Sequence, residues 1–279
     1  MPLAGPAGTR TSLADMSVAP EMVRVRRHGP GGTVAEIVLD RPEALNALST
    51  RMAGELAAAA GRLAADPTVR AVVISSSAPT AFCVGADLKE RNTFSDAQLM
   101  AQRPVFRAAF TGVVNLPVPT VAAVHGYALG GGLEIALGAD LIVADETALL
   151  GLPEVTVGVV PGGGGTQLLT RRLGWSRAAD LIFTGRRVDA GEAERLGLTD
   201  RRTPAGQDRL VALGLAGSIA ANSPVGVRAA KRAMRHGMDV DLATGLDVED
   251  SAWRVTAFSP DRAEGVAAFN EKRSPRWPG

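Results

Sequence analysis

Apolar positions follow two rhythms along this chain. "TVAEIVLD" (33–40) alternates and is rich in β-branched residues, which predicts a strand. "RAVVISS" (70–76), "VPTVAAVHG" (118–126) and "ADLIVAD" (139–145) are short apolar runs and predict three more strands. Between them the rhythm changes to a helical one. Ser49 is placed to cap a helix through "RMAGELAAAAGRLAA", which Asp66-Pro67 ends. "AFCVGADLKE" passes from strand to loop to helix, with Asp87 and Glu90 at capping-box spacing. A long helix is predicted over 96–115 and a short one over "GGLEIALG". Strand, crossover helix and strand thus recur, which predicts an α/β architecture with parallel pairing. After "PGGGGTQ" nearly every segment to the C-terminus reads as helix, and such helices with apolar outer faces often pack on a partner subunit.

Composition narrows the class. The 279 residues carry a net charge of +1 and are 46% hydrophobic, enough for a large globular core. Near-neutral charge gives no general attraction to nucleic acid or an anionic membrane. No apolar run approaches the ~20 residues that span a bilayer. The first twenty residues lack a charged n-region and an apolar h-region, so they are expected to be a flexible tail and not a secretory signal. The single cysteine, Cys83, excludes an intramolecular disulfide and makes a reducing cytoplasm the expected location. It lies at a strand end without an adjacent histidine and is expected to be a core thiol. His28, His125 and His236 are scattered and show no metal-ligand spacing, so no metal site is expected, and His125 is expected to be packed.

Two glycine runs carry the candidate chemistry. "HGYALGGGLEIALGAD" and "GLPEVTVGVVPGGGG" each place glycines before a helical segment. The first amides of a helix have no internal partner, and without side chains a ligand oxygen can approach them. Neither run is a P-loop, because the lysine is missing, and neither has the G-x-G-x-x-G spacing of a dinucleotide site. Glu134 and Glu154 lie beside these runs in apolar surroundings. Two such carboxyls can be pushed to different pKa values and so divide acid and base work.

"AFCVGADLKE", "GYALGGGLEIALGADLIVA" and "GLPEVTVGVVPGGGGTQLL" resemble, in order, the signature segments of the crotonase family, the enoyl-CoA hydratases and isomerases. "GADLKER" and the C-terminal "HGMDVDLATGLDVED…EGVAAFNEKR" are most similar to the branch of the AU-binding homologue, which includes methylglutaconyl-CoA hydratases. The resemblance implies a spiral of repeated ββα units over 21–215 after the tail of 1–20, and a helical trimerisation region over 216–279. It implies a homotrimer, or a hexamer made as a dimer of trimers. The implied reaction is syn addition of water to the C2=C3 bond of a 2-enoyl-CoA, as in fatty-acid β-oxidation. Glu134 and Glu154 match the two catalytic glutamates, and the amides of Ala86 and Gly131 match the oxyanion hole. Family isomerases usually keep the acid at the Glu154 position and lack the one at Glu134.

The resemblance further implies an acyl-CoA substrate held by Ala86, Asp87, Leu88, Lys89 and Gly131, with Ala44 and Leu45 in the loop "RPEALNA". Phe269 and Lys272 resemble residues that approach the CoA of a neighbouring subunit. No cofactor is implied beyond the CoA that the substrate carries. RNA binding, attributed to one branch, is the weaker expectation. The helix that is lysine-rich in RNA-binding relatives offers only Arg62 and Arg70 here. The stripe Arg228, Lys231, Arg232 and Arg235 is expected to be solvated or to face CoA.

Overall fold

The computed structural model describes residues 20–279. Apart from Pro20, the expected tail lies outside the described residues. The chain enters as β1 (Val23–His28), returns as β2 (Val34–Leu39) and runs into α1 (Thr50–Ala65). Next come β3 (Ala71–Ser76), β4 (Ala81–Cys83), α2 (Leu88–Arg91) and α3 (Asp96–Val114). A second pair, β5 (Thr120–Val124) and β6 (Tyr127–Leu129), leads to α4 (Gly131–Gly138). A third pair, β7 (Leu141–Asp145) and β8 (Leu149–Gly151), leads through a short 3-10 turn to α5 (Gly165–Leu173) and α6 (Trp175–Thr184). The strand β9 (Arg187–Asp189), the helix α7 (Ala190–Leu196) and the strand β10 (Arg201–Thr203) follow. Four helices close the chain: α8 (Asp208–Ala220), α9 (Pro224–Gly237), α10 (Leu242–Ala257) and α11 (Pro260–Asn270).

The successive strand pairs divide between two sheets. A six-stranded sheet has the order β1-β2-β3-β5-β7-β10, and a four-stranded one the order β4-β6-β8-β9. The first strand of each pair joins the larger sheet and the second joins the smaller. The chain therefore winds as a spiral of two strands and a helix, as the resemblance implied. The four strands predicted from the sequence are β2, β3, β5 and β7, which are contiguous and mutually parallel. Their side chains alternate between two buried layers. Ile37, Val72, Ile74, Ala122, Val124 and Ile142 face the main core with α1, α3 and α4. Val34, Ala71, Val73, Val121 and Val143 face Ala212, Ala216 and Ala220 of α8. Burial on both faces is why these strands read as apolar runs and not as strict alternation.

The structure corrects several expectations. Pairing is not wholly parallel, because β1 adds to β2 and β9 to β8 in antiparallel fashion. Position 215/216 lies within α8, which covers the larger sheet, and the chain turns by 108° between α8 and α9. The basic stripe is not free. Arg228 donates to the carbonyls of Pro67 and Val69, while Lys231 and Arg235 meet Asp140 at 2.6 and 2.9 Å. These cations cap strand and helix ends of the core, and of the four only Arg232 is exposed. His125 is packed as expected, between Asp208 (3.1 Å) and the Ala78 carbonyl (2.7 Å). The Cys83 thiol is buried, donates to the Asn46 carbonyl, and is pushed up to about 12 by burial, as suits a core thiol.

The point at which α4 meets β4 has no room for a side chain. A Cβ on Gly132 would lie 2.0 Å from the Cys83 carbonyl oxygen and 2.7 Å from its carbon. A backbone carbonyl in a strand cannot move aside as a flexible side chain can. Gly132→Ala is therefore expected to cost about 3 kcal/mol of stability, read as a lowered urea midpoint. A midpoint like the wild type's would mean that α4 does not dock this closely.

Candidate active site

The site is built where three loops meet. The segment 84–87 leaves β4 and is fixed on one side by the loop 41–48. The Leu48 amide donates to Gly85 O (2.8 Å) and the Asp87 amide donates to Leu48 O (2.9 Å). These two bonds flank Ala86, so the Ala86 N–H points away from the 41–48 loop. On that other side lies the first glycine run. A Cβ on Gly85 would stand 3.1 Å from the Gly131 nitrogen, and Gly85 itself has φ +91°. The amides of Ala86 and Gly131, both matched to the oxyanion hole, thus come together through a glycine-on-glycine contact. Gly131 is the first residue of α4, so its N–H has no partner within the helix.

Both carboxyls reach this point by different routes. Glu134, one turn along α4, is 3% exposed, and its Oε1 accepts from the amides of Gly163 (2.6 Å) and Gly165 (2.8 Å). The second glycine run is therefore a cradle for Glu134. Burial raises the pKa of Glu134, while the two amides and the charge of Arg103 oppose that rise. Glu154 follows β8 in the 3-10 turn Pro153–Val157, with its Oε1 against Gly130 at 3.2 Å from where a Cβ would be. Its Oε2 is buried and has no hydrogen-bond partner among the described residues. Burial, and then the neighbouring charge of Glu134, push the Glu154 carboxyl up to about 7. The arrangement can hold a polarised carbonyl at two amides, with one tightly held carboxylate and one poised carboxyl beside it.

The remaining predicted residues fall into three groups. Ala44 and Leu45 lie on the loop that docks on segment 84–87, and Leu45 O accepts from the Val84 amide. Leu88 and Lys89 are exposed on the first turn of α2 beside it. The Asp87 carboxylate is already engaged within the chain. It caps α2 through the amides of Lys89 and Glu90 and meets Arg41 at 2.7 Å, which holds its pKa low against burial. The expected reciprocal half of that capping box does not form, because the Asp87 amide is taken by Leu48. Glu90 instead holds the Thr50 amide at the start of α1 (2.8 Å). Phe269 and Lys272 are exposed at the end of α11. Among the described residues no hydrogen bond links them to Glu134 or Glu154 of the same chain.

Several residues of the site are not apparent from sequence. Asn46, buried with φ +56°, pins the loop through Ser76 Oγ (2.7 Å), Phe82 O (3.0 Å) and the Arg41 amide (2.7 Å). An asparagine between Leu and Ala is a fair candidate for the left-handed region, and that was the available signal. Phe110 packs against both glycine runs, 3.3 Å from a Cβ on Gly131 and 2.6 Å from one on Gly163. Arg103, on the same face of α3, lies against Gly162. Among the described residues no three His, Cys, Asp or Glu side chains gather as metal ligands.

Comparison with known proteins adds the family. The profile described as Enoyl-CoA hydratase/isomerase matches residues 30–279. The chain belongs to this family. It is 40% identical to the mitochondrial methylglutaconyl-CoA hydratase of Homo sapiens over 280 residues, covering 99% of this chain and 82% of that one. It is likewise 40% identical to a probable mitochondrial enoyl-CoA hydratase 2 of Arabidopsis thaliana, covering 97% and 90%. Among solved structures, an enoyl-CoA hydratase from Bacillus anthracis superposes with a TM-score of 0.89 at 39% identity, covering 92% of this chain and 98% of that one. The fold is thus the crotonase fold, and the chain is a crotonase-family enzyme of the class that acts on acyl-CoA thioesters.

The raised Glu154 has a consequence for stability. An unfolded glutamate ionises near 4.5, whereas this carboxyl does so at about 7. Between those values the native state keeps a proton that the unfolded chain has lost, so stability falls as pH rises across that window. Glu154→Gln is expected to raise the thermal midpoint above pH 7, and the gain is expected to vanish near pH 4. A gain that is equal at both pH values would show that Glu154 ionises normally.

Proposed function

We propose that this protein is an enoyl-CoA hydratase that adds water reversibly across the C2=C3 bond of a 2-enoyl-CoA thioester. The observation that supports it best is the second carboxyl. An isomerase can move one proton with Glu154 alone, whereas adding water needs a partner for the water as well, and Glu134 is present and held in place. The thioester oxygen takes up negative charge as C3 is attacked. The amides of Ala86 and Gly131 stabilise it, each worth roughly 2.7–4 kcal/mol of barrier. Glu134, ionised, orients the water and accepts its proton as oxygen bonds to C3. Glu154, protonated, gives its proton to C2. In dehydration Glu154 takes that proton back and Glu134 returns one to the leaving hydroxyl.

The working enzyme therefore carries one proton on the pair in both directions. Because the reaction consumes no net proton, hydration and dehydration must share one pH profile. On the alkaline side kcat/KM is expected to fall as pH rises through about 7, where the second proton of the pair leaves. A profile flat to pH 9 would remove Glu154 as the acid. Glu134→Gln and Glu154→Gln are each expected to lower hydration of crotonyl-CoA by about 10²–10⁴, while binding of a saturated CoA ester stays near normal. Turnover like the wild type's in either variant would sink the mechanism. A 3-enoyl-CoA converted faster than crotonyl-CoA is hydrated would make the enzyme an isomerase.

The proposal includes assembly. Trp175 and Phe183 of α6, Leu242 of α10, Phe258 just after α10 and Phe269 of α11 are each at least 69% exposed. So much bare apolar area is unusual on a monomer and suits an interface. A trimer, or two trimers paired, would bury it and could bring Phe269 and Lys272 to a neighbour's CoA. Light scattering is expected to give the mass of three or six chains, and a stable monomer would exclude the arrangement.

A further inference from the structure

A chain of hydrogen bonds leads into the site from behind Ala86. The Ala86 N–H belongs to the same planar trans peptide as Gly85 O, so whatever grips that oxygen aims the N–H. The Leu48 amide grips it at 2.8 Å. Leu48 N–H in turn shares a peptide with Ala47 O, which accepts from Arg41 Nη1 at 2.8 Å. A guanidinium and two peptide groups therefore stand in series, and the last N–H of the series is that of Ala86. The loop that holds Arg41 is over-determined. Leu45 and Asn46 are consecutive non-glycine residues with φ of 51° and 56°, a region that side chains seldom accept. Asn46 closes the loop on Arg41 twice: its N–H donates to Arg41 O (3.0 Å), and its side-chain oxygen accepts from the Arg41 amide (2.7 Å). The same Nη1 meets the Asp87 carboxylate at 2.7 Å, and the side chains of Arg41 and Asp87 are only 19% and 10% exposed. A second carboxylate, Glu43, is exposed and stands farther off, 3.6 Å from Nε.

We propose that Arg41 is a positioning residue for the reaction, which aims and polarises the Ala86 N–H through the Ala47–Leu48 and Gly85–Ala86 peptides, with Asp87 fixing the guanidinium. The direction of the series carries the argument. A cation donating to Ala47 O draws electron density along that peptide and makes Leu48 N–H a stronger donor. Leu48 does the same to the Gly85–Ala86 peptide, because hydrogen bonds in series polarise one another. The series ends on the donor matched to the oxyanion hole, where negative charge develops. Helix capping does not account for the ion pair, since Asp87 caps α2 with Oδ1 and meets Arg41 with Oδ2. Stability does not account for it either, because the attraction within a largely buried pair does little more than offset the cost of taking both charges out of water. The assignment rests on the acyl-CoA reading above, in which the Ala86 amide meets the thioester oxygen.

The test uses the full chain as wild type, Arg41→Met, Arg41→Lys and the double variant Arg41→Met/Asp87→Asn. Asparagine keeps the cap of α2, and removing both charges together leaves neither buried without a partner. The double variant is therefore expected to unfold in urea near the wild-type midpoint. In the first assay, difference infrared spectra record the thioester C=O stretch of bound butyryl-CoA, isotopically labelled at that carbon, a saturated ester that needs no turnover. The wild type is expected to lower this frequency below that of the free ester. Arg41→Met and the double variant are expected to lose much of the shift, and Arg41→Lys to keep part of it. In the second assay, kcat and KM are measured for crotonyl-CoA. Arg41→Met and the double variant are expected to lower kcat by about tenfold with KM near the wild-type value, as for an interaction made mainly in the transition state. A double variant with the wild type's kcat and carbonyl shift overturns the inference. So does a loss that follows stability, present in Arg41→Met and absent in the double variant, and so does a loss confined to KM. A wild type that leaves the carbonyl frequency unshifted overturns it whatever the rate of hydration. A wild type that shifts the carbonyl without hydrating crotonyl-CoA, with the shift lost in the double variant, keeps the inference and rejects the hydratase reading.

Discussion

The whole arrangement depends on backbone meeting backbone without side chains between. Gly132 touches the Cys83 carbonyl, Gly85 touches the Gly131 amide, and Gly126, at φ +54°, touches the Thr80 carbonyl 2.0 Å from where a Cβ would sit. Each contact joins the strand end of one turn of the spiral to the next turn. Together they fix the start of α4 against the end of β4. Two peptide N–H groups from segments far apart in sequence can then face one point. Any side chain here would hold the layers apart by more than a hydrogen bond can span. Glycine costs about 0.5–1 kcal/mol in conformational entropy relative to alanine, and the main core packed around β2, β3, β5 and β7 offsets that cost.

Upon this contact rests an unequal treatment of two like side chains. Glu134 and Glu154 are both removed from water, and each would be costly if left ionised and alone. Glu134 is compensated by two amides of the second glycine run and by Arg103. Glu154 is compensated only by its own backbone, and one of its oxygens is bare. The imbalance is what separates their affinities for a proton. Had both been cradled alike, both would ionise together and neither could act as the acid at neutral pH. The missing hydrogen bonds of Glu154 are therefore as much a part of the site as those that Glu134 has.

How far the sequence revealed this depended on range. The four central strands and most helices were legible, because apolar runs and caps such as Ser49 and Asp87 are local signals. The glycine runs and the glutamates beside them were legible for the same reason. Most of the smaller sheet was not. Strands β6, β8 and β9 have three residues each, too few to show a period, and they exist only because the spiral brings them side by side. The stripe of Arg228, Lys231 and Arg235 looked solvated because its acceptors, the carbonyls of Pro67, Val69 and Val118 together with Asp140, belong to distant segments. The part Asp87 plays as a structural clamp was hidden, because Arg41 and the Leu48 carbonyl could not be placed beside it in advance. Arg103 showed no signal at all: an arginine in a long helix reads as a solvated face until α3 is seen to lie over the second glycine run.

This division of labour has a mechanical logic. The amides of Ala86 and Gly131 are placed by glycine contacts that no substitution can adjust gradually. The side chains set beside them include Phe110 and Arg103 of α3, an element capped by its own Ser95. The apolar residues Phe106 and Phe110 anchor α3 in the core, whereas Arg103 on the same face faces outward. Replacing an outward side chain on an anchored helix changes what the helix presents without moving the helix. The surface beside the amides can therefore vary one residue at a time while the amide pair stays fixed.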